Sequence, residues 1–262
     1  MPTALIVEDE PEANKLLAML VQLRGYRTDS AFTGTEALEK VGQAPPDLVF
    51  LDLMLPDING YEVCKSLKSR KTTGAIPVVM VTARVAAENR LDSFRAGADD
   101  YIPKPFTPDQ IFQAMADADA WRRQLERRDF EGEIHIEIPD EGESLRQLAR
   151  LRSLLLARAP LDLDTVGQLS SALQEIWRDA VAWGRAHRSD LVATLSYRVH
   201  ADRLTLTVRD ASGWLGDDHF VPEDRWPKAF SPVVFDEITP VESEHRISFL
   251  KRFPPGDLSA TS

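Results

Sequence analysis

The sequence predicts an α/β first half, built on a parallel sheet covered by helices on both faces, followed by a separate α+β second half. Three observations carry this prediction. In the first 125 residues, short apolar runs alternate with segments of helical period. Beyond residue 130 the pattern becomes one strand, two helices and a run of further strands. The 262 residues also exceed the roughly 100–200 of one ordinary domain.

The apolar runs of the first half are Ala4–Val7, Thr28–Ala31, Leu48–Leu51, Val78–Val81 and Tyr101–Ile102. Between and after them lie Pro11–Arg24, Gly34–Val41, Gly60–Lys68, Ala86–Arg95 and Pro108–Arg128, in which apolar residues recur at a period of about 3.6. Strands alternating with helices of this size imply a parallel sheet buried on both faces. Every strand of such a sheet ends on the same edge, and that edge is where ligands bind. Four runs stop at polar groups: Glu8 and Asp9, Asp52, Thr82, and Lys104. These groups are expected to converge.

Their chemistry follows from the residue types. Crowded carboxylates repel unless a cation lies between them. Oxygen ligands favour a hard ion such as Mg²⁺, which pairs one or two carboxylates with phosphate oxygens. One carboxylate can then attack a phosphoryl group. A metal ion, a hydroxyl and an ammonium are what the oxygens of a transferring phosphoryl group require. Lys104 supplies a point charge suited to a phosphate that arrives and leaves.

The strings Leu5-Ile-Val-Glu-Asp-Glu10, Asp52-Leu-Met-Leu-Pro-Asp-Ile-Asn-Gly60, Val81-Thr82-Ala83 and Gly97-Ala-Asp-Asp-Tyr-Ile-Pro-Lys-Pro-Phe106 stand in order at matching distances. Over residues 1–122 the chain resembles the response-regulator receiver family. The resemblance implies a flavodoxin-like, doubly wound five-strand sheet of order 2-1-3-4-5. It implies Asp52 as phosphoacceptor from a histidine kinase or phosphotransfer protein, with the receiver catalysing its own phosphorylation and dephosphorylation. Mg²⁺ would be held by Asp9, Asp52 and the Met54 backbone carbonyl, with Glu8 acting through water. Thr82 and Lys104 would hold phosphoryl oxygens, Tyr101 would swing as Thr82 moves, and Lys104-Pro105 would be cis. Asp57 and Gly60 are read as shaping the loop after Asp52, and Cys64 as packing. One departure bears on assembly. Receivers that pair through their last helices answer acids such as Asp99 and Asp100 with early cations, and Pro108–Ala116 holds none.

The last receiver helix is expected to run on as a helical linker over 123–132, its stripe of Ile111, Met115, Ala118 and Leu125 leaving a homodimer seam open. The second domain is placed at 133–253, with a loose tail at 254–262. Glu133–Ile138, Leu191–Val199, Arg203–Arg209 and Arg246–Phe253 read as strands, and Glu143–Ala159 and Leu163–Ala186 as helices, the second capped by Asp164.

The helix Leu173-Gln-Glu-Ile-Trp-Arg-Asp-Ala-Val-Ala-Trp-Gly184, with Asp210 ending a hairpin, is similar to the ATP-binding (GHKL) domain of histidine kinases and anti-sigma serine kinases, an α+β two-layer sandwich. That resemblance implies Glu175, Asp179 and Asp210 as nucleotide residues. The frame departs from it where nucleotide is gripped: Asp179 stands for an Asn, Trp183 for a His, and Ser212 and Trp214 for glycines that let backbone approach the ligand. The domain therefore reads as degenerate, with a downstream protein partner as its output. Trp177 and Trp183 read as core; Trp214 and Trp226, with Phe220 and Phe230, read as exposed anchors. A phosphorylation-gated anti-sigma-type serine kinase is the second reading and a DNA-binding regulator the third.

Composition narrows the classes. Lys and Arg number 31 against 42 Asp and Glu, and residues 1–125 hold 14 basic and 18 acidic groups, leaving 17 and 24 beyond. Neither half is basic, so nucleic acid is not expected as a partner. No apolar run is long enough for a membrane span, and Met1-Pro2-Thr3 lacks signal-peptide character. The single cysteine fits a reducing cytoplasm. The five histidines have no zinc-ligand spacing, and no hydrolase motif occurs.

Overall fold

A computed structural model describes residues 1–84, 86–127, 129–215, 234–241 and 245–254. The chain divides into two compact units, one of Met1–Glu126 with Ala149–Ala157, the other drawn from Arg127–Leu148 and Arg158–Ser262.

The first unit alternates strand and helix: β1 (Thr3–Val7), α1 (Pro11–Leu23), β2 (Arg27–Ala31), α2 (Gly34–Gln43), β3 (Leu48–Leu51), α3 (Gly60–Lys68), β4 (Val78–Thr82), α4 (Ala87–Ala96), β5 (Asp100–Pro103) and α5 (Pro108–Leu125). The sheet is parallel with order β2-β1-β3-β4-β5, the order a doubly wound flavodoxin-like fold requires. β3 and β4 are buried at every residue because helices cover both faces. Two core clusters result. Leu5, Val7, Val49 and Leu51 pack with Val63 and Leu67 of α3; Ala4, Ile6, Leu48 and Phe50 pack with Val21 of α1 and Ile111 and Met115 of α5. Each such Val, Leu, Ile, Phe or Met side chain contributes about 1.5–3 kcal/mol by leaving water.

Local signals set the helix starts. Thr33 caps α2, Asn59 caps α3, and Thr107 forms a capping box with Gln110 at α5, where Pro108 is the first helical residue. Gly97 ends α4 at φ +102°, in the left-handed region where a side chain is strained. The Asp57 carboxylate accepts from the Gly34 and Thr35 amides at 2.8 Å each. Hydrogen bonding by Thr35, first its side chain and then its amide, together with the Gly34 amide, holds the Asp57 pKa below the usual carboxylate range. A Cβ on Gly60 would stand 2.3 Å from the Asp52 carbonyl oxygen, so only glycine lets α3 begin this close to β3.

The α5 stripe does not form a dimer seam: Ile111, Met115 and Ala118 face the core of the first unit. Trp121 is buried, its Nε1 donating to the Ala75 carbonyl at 3.0 Å. The helix stops at Leu125 and the next strand starts at Phe130, so the helical linker expected over 123–132 is interrupted by strand.

The second unit contains β6 (Phe130–Glu137), α7 (Leu163–His187), β7 (Leu191–Val199), β8 (Arg203–Asp210), β9 (Glu237–Val241) and β10 (Arg246–Arg252). The helix α6 (Glu141–Arg158) supplies residues to both units. The sheet is antiparallel, order β6-β7-β8-β10-β9. Ile134, Leu195, Val208 and Ile247 lie in register on its buried face. One residue along, Glu133, Ser196, Thr207, Ser248 and Thr239 make a polar row on the other. β9 is a strand that the sequence pattern does not predict, and Asp162 rather than Asp164 caps α7, accepting from the Thr165 amide at 2.6 Å.

A buried ion pair holds the sheet's other end. Lys68 is fully buried; its Nζ donates to Asp99 at 2.7 Å and to the Ile76 carbonyl at 2.8 Å, and Asp99 also accepts from the Val78 amide at 2.8 Å. Asp99 is therefore engaged inside the fold and cannot serve an intermolecular ion pair. Lys68→Met should cost about 3–5 kcal/mol in urea unfolding by leaving the Asp99 charge unpaired, and Asp99→Asn added to it should recover much of that loss.

Candidate functional site

The parallel register delivers the predicted groups to one edge. Val7 pairs with Leu51, Leu51 with Met80, and Thr82 with Pro103, so Glu8, Asp9, Asp52, Thr82 and Lys104 follow adjacent strands. Main-chain bonds fix the ends. The Asp52 amide donates to the Val7 carbonyl at 2.9 Å, and that of Lys104 to Thr82 at 2.8 Å. The Lys104-Pro105 peptide is cis.

The carboxylates of Glu8, Asp9 and Asp52 offer oxygens within 4.8 Å of one another. Glu8 and Asp52 are buried at 3% and 5% exposure, whereas Asp9 is exposed. Lys104 Nζ bridges the buried two, at 2.5 Å from Glu8 Oε2 and 2.6 Å from Asp52 Oδ2. Burial pushes the Glu8 pKa above the ordinary value, with Lys104 opposing. Burial disfavours the Lys104 cation, but hydrogen bonds and attraction from Asp52 and Glu8 outweigh it and raise its pKa. Three crowded acids with one neighbouring ammonium carry an excess of negative charge, and the oxygen-only donor set fits a hard divalent cation.

Other groups surround this centre. The Met54 amide donates to Asp52 Oδ1 at 3.1 Å, and the Met54 side chain is half exposed with its sulfur 3.1 Å from Arg84 Nε. Thr82 is fully buried, its hydroxyl accepting from the Arg84 amide at 3.3 Å. Tyr101 packs on the β3/β4 core cluster, and its hydroxyl is buried with no hydrogen-bond partner among the described residues.

Two contributors were not anticipated. Asn14, buried on α1, donates to the carbonyls of Ile6 and Glu8 at 3.4 and 3.2 Å and accepts from Ser30 at 2.7 Å, which fixes the end of β1. Its sequence signal was a polar residue on the buried stripe with Leu17 and Val21. Arg84 adds a cation at the mouth, and no spacing rule marks it.

The nucleotide residues proposed for the second unit do not form a comparable centre. The Asp210 carboxylate is engaged by its own turn, accepting from the amides of Ser212, Gly213 and Leu215 at 2.8, 3.1 and 2.8 Å. Glu175 lines a surface groove with Asp164, Gln168 and Val234, and Asp179 lies one turn further along α7. Trp214 is buried rather than an exposed anchor. Trp226, Phe220 and Phe230 lie outside the described residues. Trp177 is core, its Nε1 donating to Ser144 at 2.8 Å, and Trp183 stacks on His187 at 3.6 Å between centroids.

Comparison with known proteins places this doubly wound α/β unit, with its acidic cluster and lysine at the carboxyl edge of the sheet. Residues 4–116 match the response regulator receiver domain. The chain is 42% identical over 107 residues to the transcriptional regulatory protein ResD of Bacillus subtilis, covering 41% of this chain and 43% of that protein. It is 30% identical over 215 residues to the DNA-binding response regulator MtrA of Mycolicibacterium smegmatis, covering 78% of this chain and 86% of that one. It is 34% identical over 144 residues to the DNA-binding dual master transcriptional regulator RpaA of Synechocystis, covering 54% and 57%. Among solved structures, a putative response regulator from Chloroflexus aurantiacus is 33% identical, covers 45% of this chain and 98% of that one, and has a TM-score of 0.44. This chain belongs to the response-regulator family.

These relatives overturn the expectation, drawn from the acidic balance of both halves, that nucleic acid is not a partner. Net charge counts every exposed acid, whereas contact with nucleic acid requires only a local basic surface. No helix among the described residues is long and apolar enough to cross a membrane.

Asp210→Ala should leave three turn amides without their acceptor and destabilise the second unit by about 1–3 kcal/mol in urea unfolding, with Asp210→Asn recovering part of the loss.

Proposed function

We propose that this protein is a phosphorylation-controlled switch whose phosphoacceptor is Asp52. The observation that carries the reading is the Lys104 ammonium bridging Asp52 and Glu8 beside Asp9 at the carboxyl edge of the sheet. Asp9, Asp52 and the Met54 carbonyl would hold Mg²⁺, with Glu8 helping through water. Bound there, the ion offsets the negative charge of the carboxylates and of the incoming phosphoryl oxygens.

An Asp52 carboxylate oxygen attacks the phosphorus of a phosphohistidine donor on a kinase or phosphotransfer protein. The P–N bond breaks, its electron pair returns to the imidazole, and an acyl phosphate forms on Asp52. Lys104 exchanges its Asp52 contact for a phosphoryl oxygen, and the Thr82 hydroxyl turns to donate to another. Movement of Thr82 leaves space beside β4 for Tyr101, whose unpartnered hydroxyl gains freedom to find an acceptor. Water attack on the phosphorus of the acyl phosphate breaks its bond to the Asp52 oxygen, releasing inorganic phosphate and the free carboxylate.

The output reading favoured by an observation is DNA binding, since the relative matched over 78% of this chain is a DNA-binding response regulator. On the polar face of the second unit's sheet, Arg198, Arg209 and Arg246 line a hollow of about 570 Å³ with Ser196, Thr205 and Thr207. Arginines and hydroxyls are the groups that contact phosphate oxygens, although Glu131 and Glu133 share the hollow. The phosphorylation-gated serine-kinase reading loses its adenine acceptor because Asp210 is engaged by its own turn. The protein-partner reading loses one of its anchors because Trp214 is buried.

Incubation with a small phosphoryl donor and Mg²⁺ should label wild-type protein at Asp52, and labelling should vanish with Asp52→Asn or with excess chelator. Persistent label on Asp52→Asn would reject the assignment. DNA retention that weakens steeply as salt is raised would support the output reading, and no retention at low salt would reject it.

A further inference from the structure

We propose that Asn14, oriented by Ser30, is a positioning residue for the divalent-cation site: by holding the Glu8 carbonyl it aims Asp9 and sets how tightly the site takes Mg²⁺. This rests on the reading of Asp9 and Asp52 as metal residues given above.

The turn that carries Asp9 is short and has little else to hold it. β1 ends at Val7 and α1 begins at Pro11, so Glu8, Asp9 and Glu10 pass from strand to helix in three residues. Glu10, at the N-cap position of α1, makes no side-chain cap, and Pro11 has no amide to donate. Of the two acids, Glu8 is buried and tied to Lys104. Asp9 is exposed, and no hydrogen bond or ion pair to another described residue holds its carboxylate. Its aim is therefore set by the main chain, above all by the peptide group that joins it to Glu8.

That peptide lies where the sheet runs out. On the β2 side of β1, Ile6 pairs with Ser30, and the Glu8 amide donates to the Ala31 carbonyl at 3.0 Å. A parallel ladder carried one step further would return a bond from the amide of Thr33 to the Glu8 carbonyl. The strand has ended by then, and Thr33 caps α2 instead. The Asn14 carboxamide supplies the missing donor, its Nδ2 lying 3.2 Å from the Glu8 carbonyl oxygen and 3.4 Å from that of Ile6.

Chemistry permits only one orientation of this amide. Both carbonyls can only accept, so Asn14 must turn its NH₂ group to them and its Oδ1 away. Oδ1 accepts from the Ser30 hydroxyl at 2.7 Å, which ties the carboxamide to β2. Asn14 is 3% exposed, on a helix face it shares with buried Leu17 and Val21. Burying an amide there costs free energy that its hydrogen bonds offset, so what Asn14 adds is direction more than stability. Groups that orient a metal ligand without touching the metal commonly change metal affinity about 10–100-fold when removed.

The test is calorimetric titration of full-length protein with Mg²⁺, beside urea unfolding of the same variants. Asn14→Leu keeps the volume and removes the donor, and should raise the Mg²⁺ dissociation constant about 10-fold or more. Ser30→Ala should raise it by less, and Ser30→Thr, which keeps the hydroxyl, should match wild type. Val21→Ala controls for mere loss of stability: it empties core space on the same helix, so it should lower the unfolding midpoint and leave the dissociation constant unchanged. Asn14→Leu binding Mg²⁺ as tightly as wild type would overturn the proposal, as would Val21→Ala weakening binding equally. Should Asn14→Leu fail to fold, equal dissociation constants for Ser30→Ala and Ser30→Thr would overturn it. Wild-type protein that takes up no Mg²⁺ would reject the metal reading itself, a result distinct from equal affinities.

Discussion

The ammonium of Lys104 lies between two carboxylates that a protein interior would otherwise not tolerate together. Glu8 and Asp52 are both nearly sealed from water, each 2.5–2.6 Å from the same nitrogen. Like charges at this separation in low dielectric demand a counter-charge. The arrangement leaves the cluster still acidic and suited to a further cation, and in the proposed function Lys104 would pass to an arriving phosphoryl group. The fold serves this contact: β1, β3 and β5 are parallel and close in the sheet, which brings positions 8, 52 and 104 together from across the chain.

The opposite edge carries the complementary device. There Lys68 and Asp99 form a buried pair with further partners, and a stretch of α6 completes it. The two ion-pair sites lie at the two ends of β4 and β5. A strand buried at every residue, as β4 is, cannot bend freely without opening voids in a close-packed core, so displacement at one end is felt at the other.

Much of the first unit was legible in the sequence because periodicity and parallel topology constrain each other. Runs ending at Asp9, Asp52, Thr82 and Lys104 could converge only if the strands were parallel, and the crossover helices required that they were. What stayed hidden depends on tertiary partners. Lys68 reads as an ordinary basic residue at a helix end, where it suits the helix dipole. Asp99 reads as a surface acid, and nothing local says they meet. Asn14 differs from its apolar stripe only by being polar.

The second unit was less legible for similar reasons. Its strands alternate plainly, and one strand, two helices and a hairpin were read in the right order. β9 has a Pro at position 240 and little apolar content, so local propensity argued against a strand that pairing with β10 stabilises. Asp210 looked like a ligand residue because its environment was inferred from neighbours in sequence. Its actual acceptor role is set by the turn geometry of Ser212, Gly213 and Leu215.

The central claim is that the edge of the parallel sheet is an acidic centre built to take up a divalent cation beside Asp52. Calorimetric titration of the full-length protein with Mg²⁺ tests it most directly. Saturable binding of one ion per chain, abolished by Asp9→Asn, is the result predicted. Absence of saturable binding, or binding that Asp9→Asn leaves untouched, would contradict it.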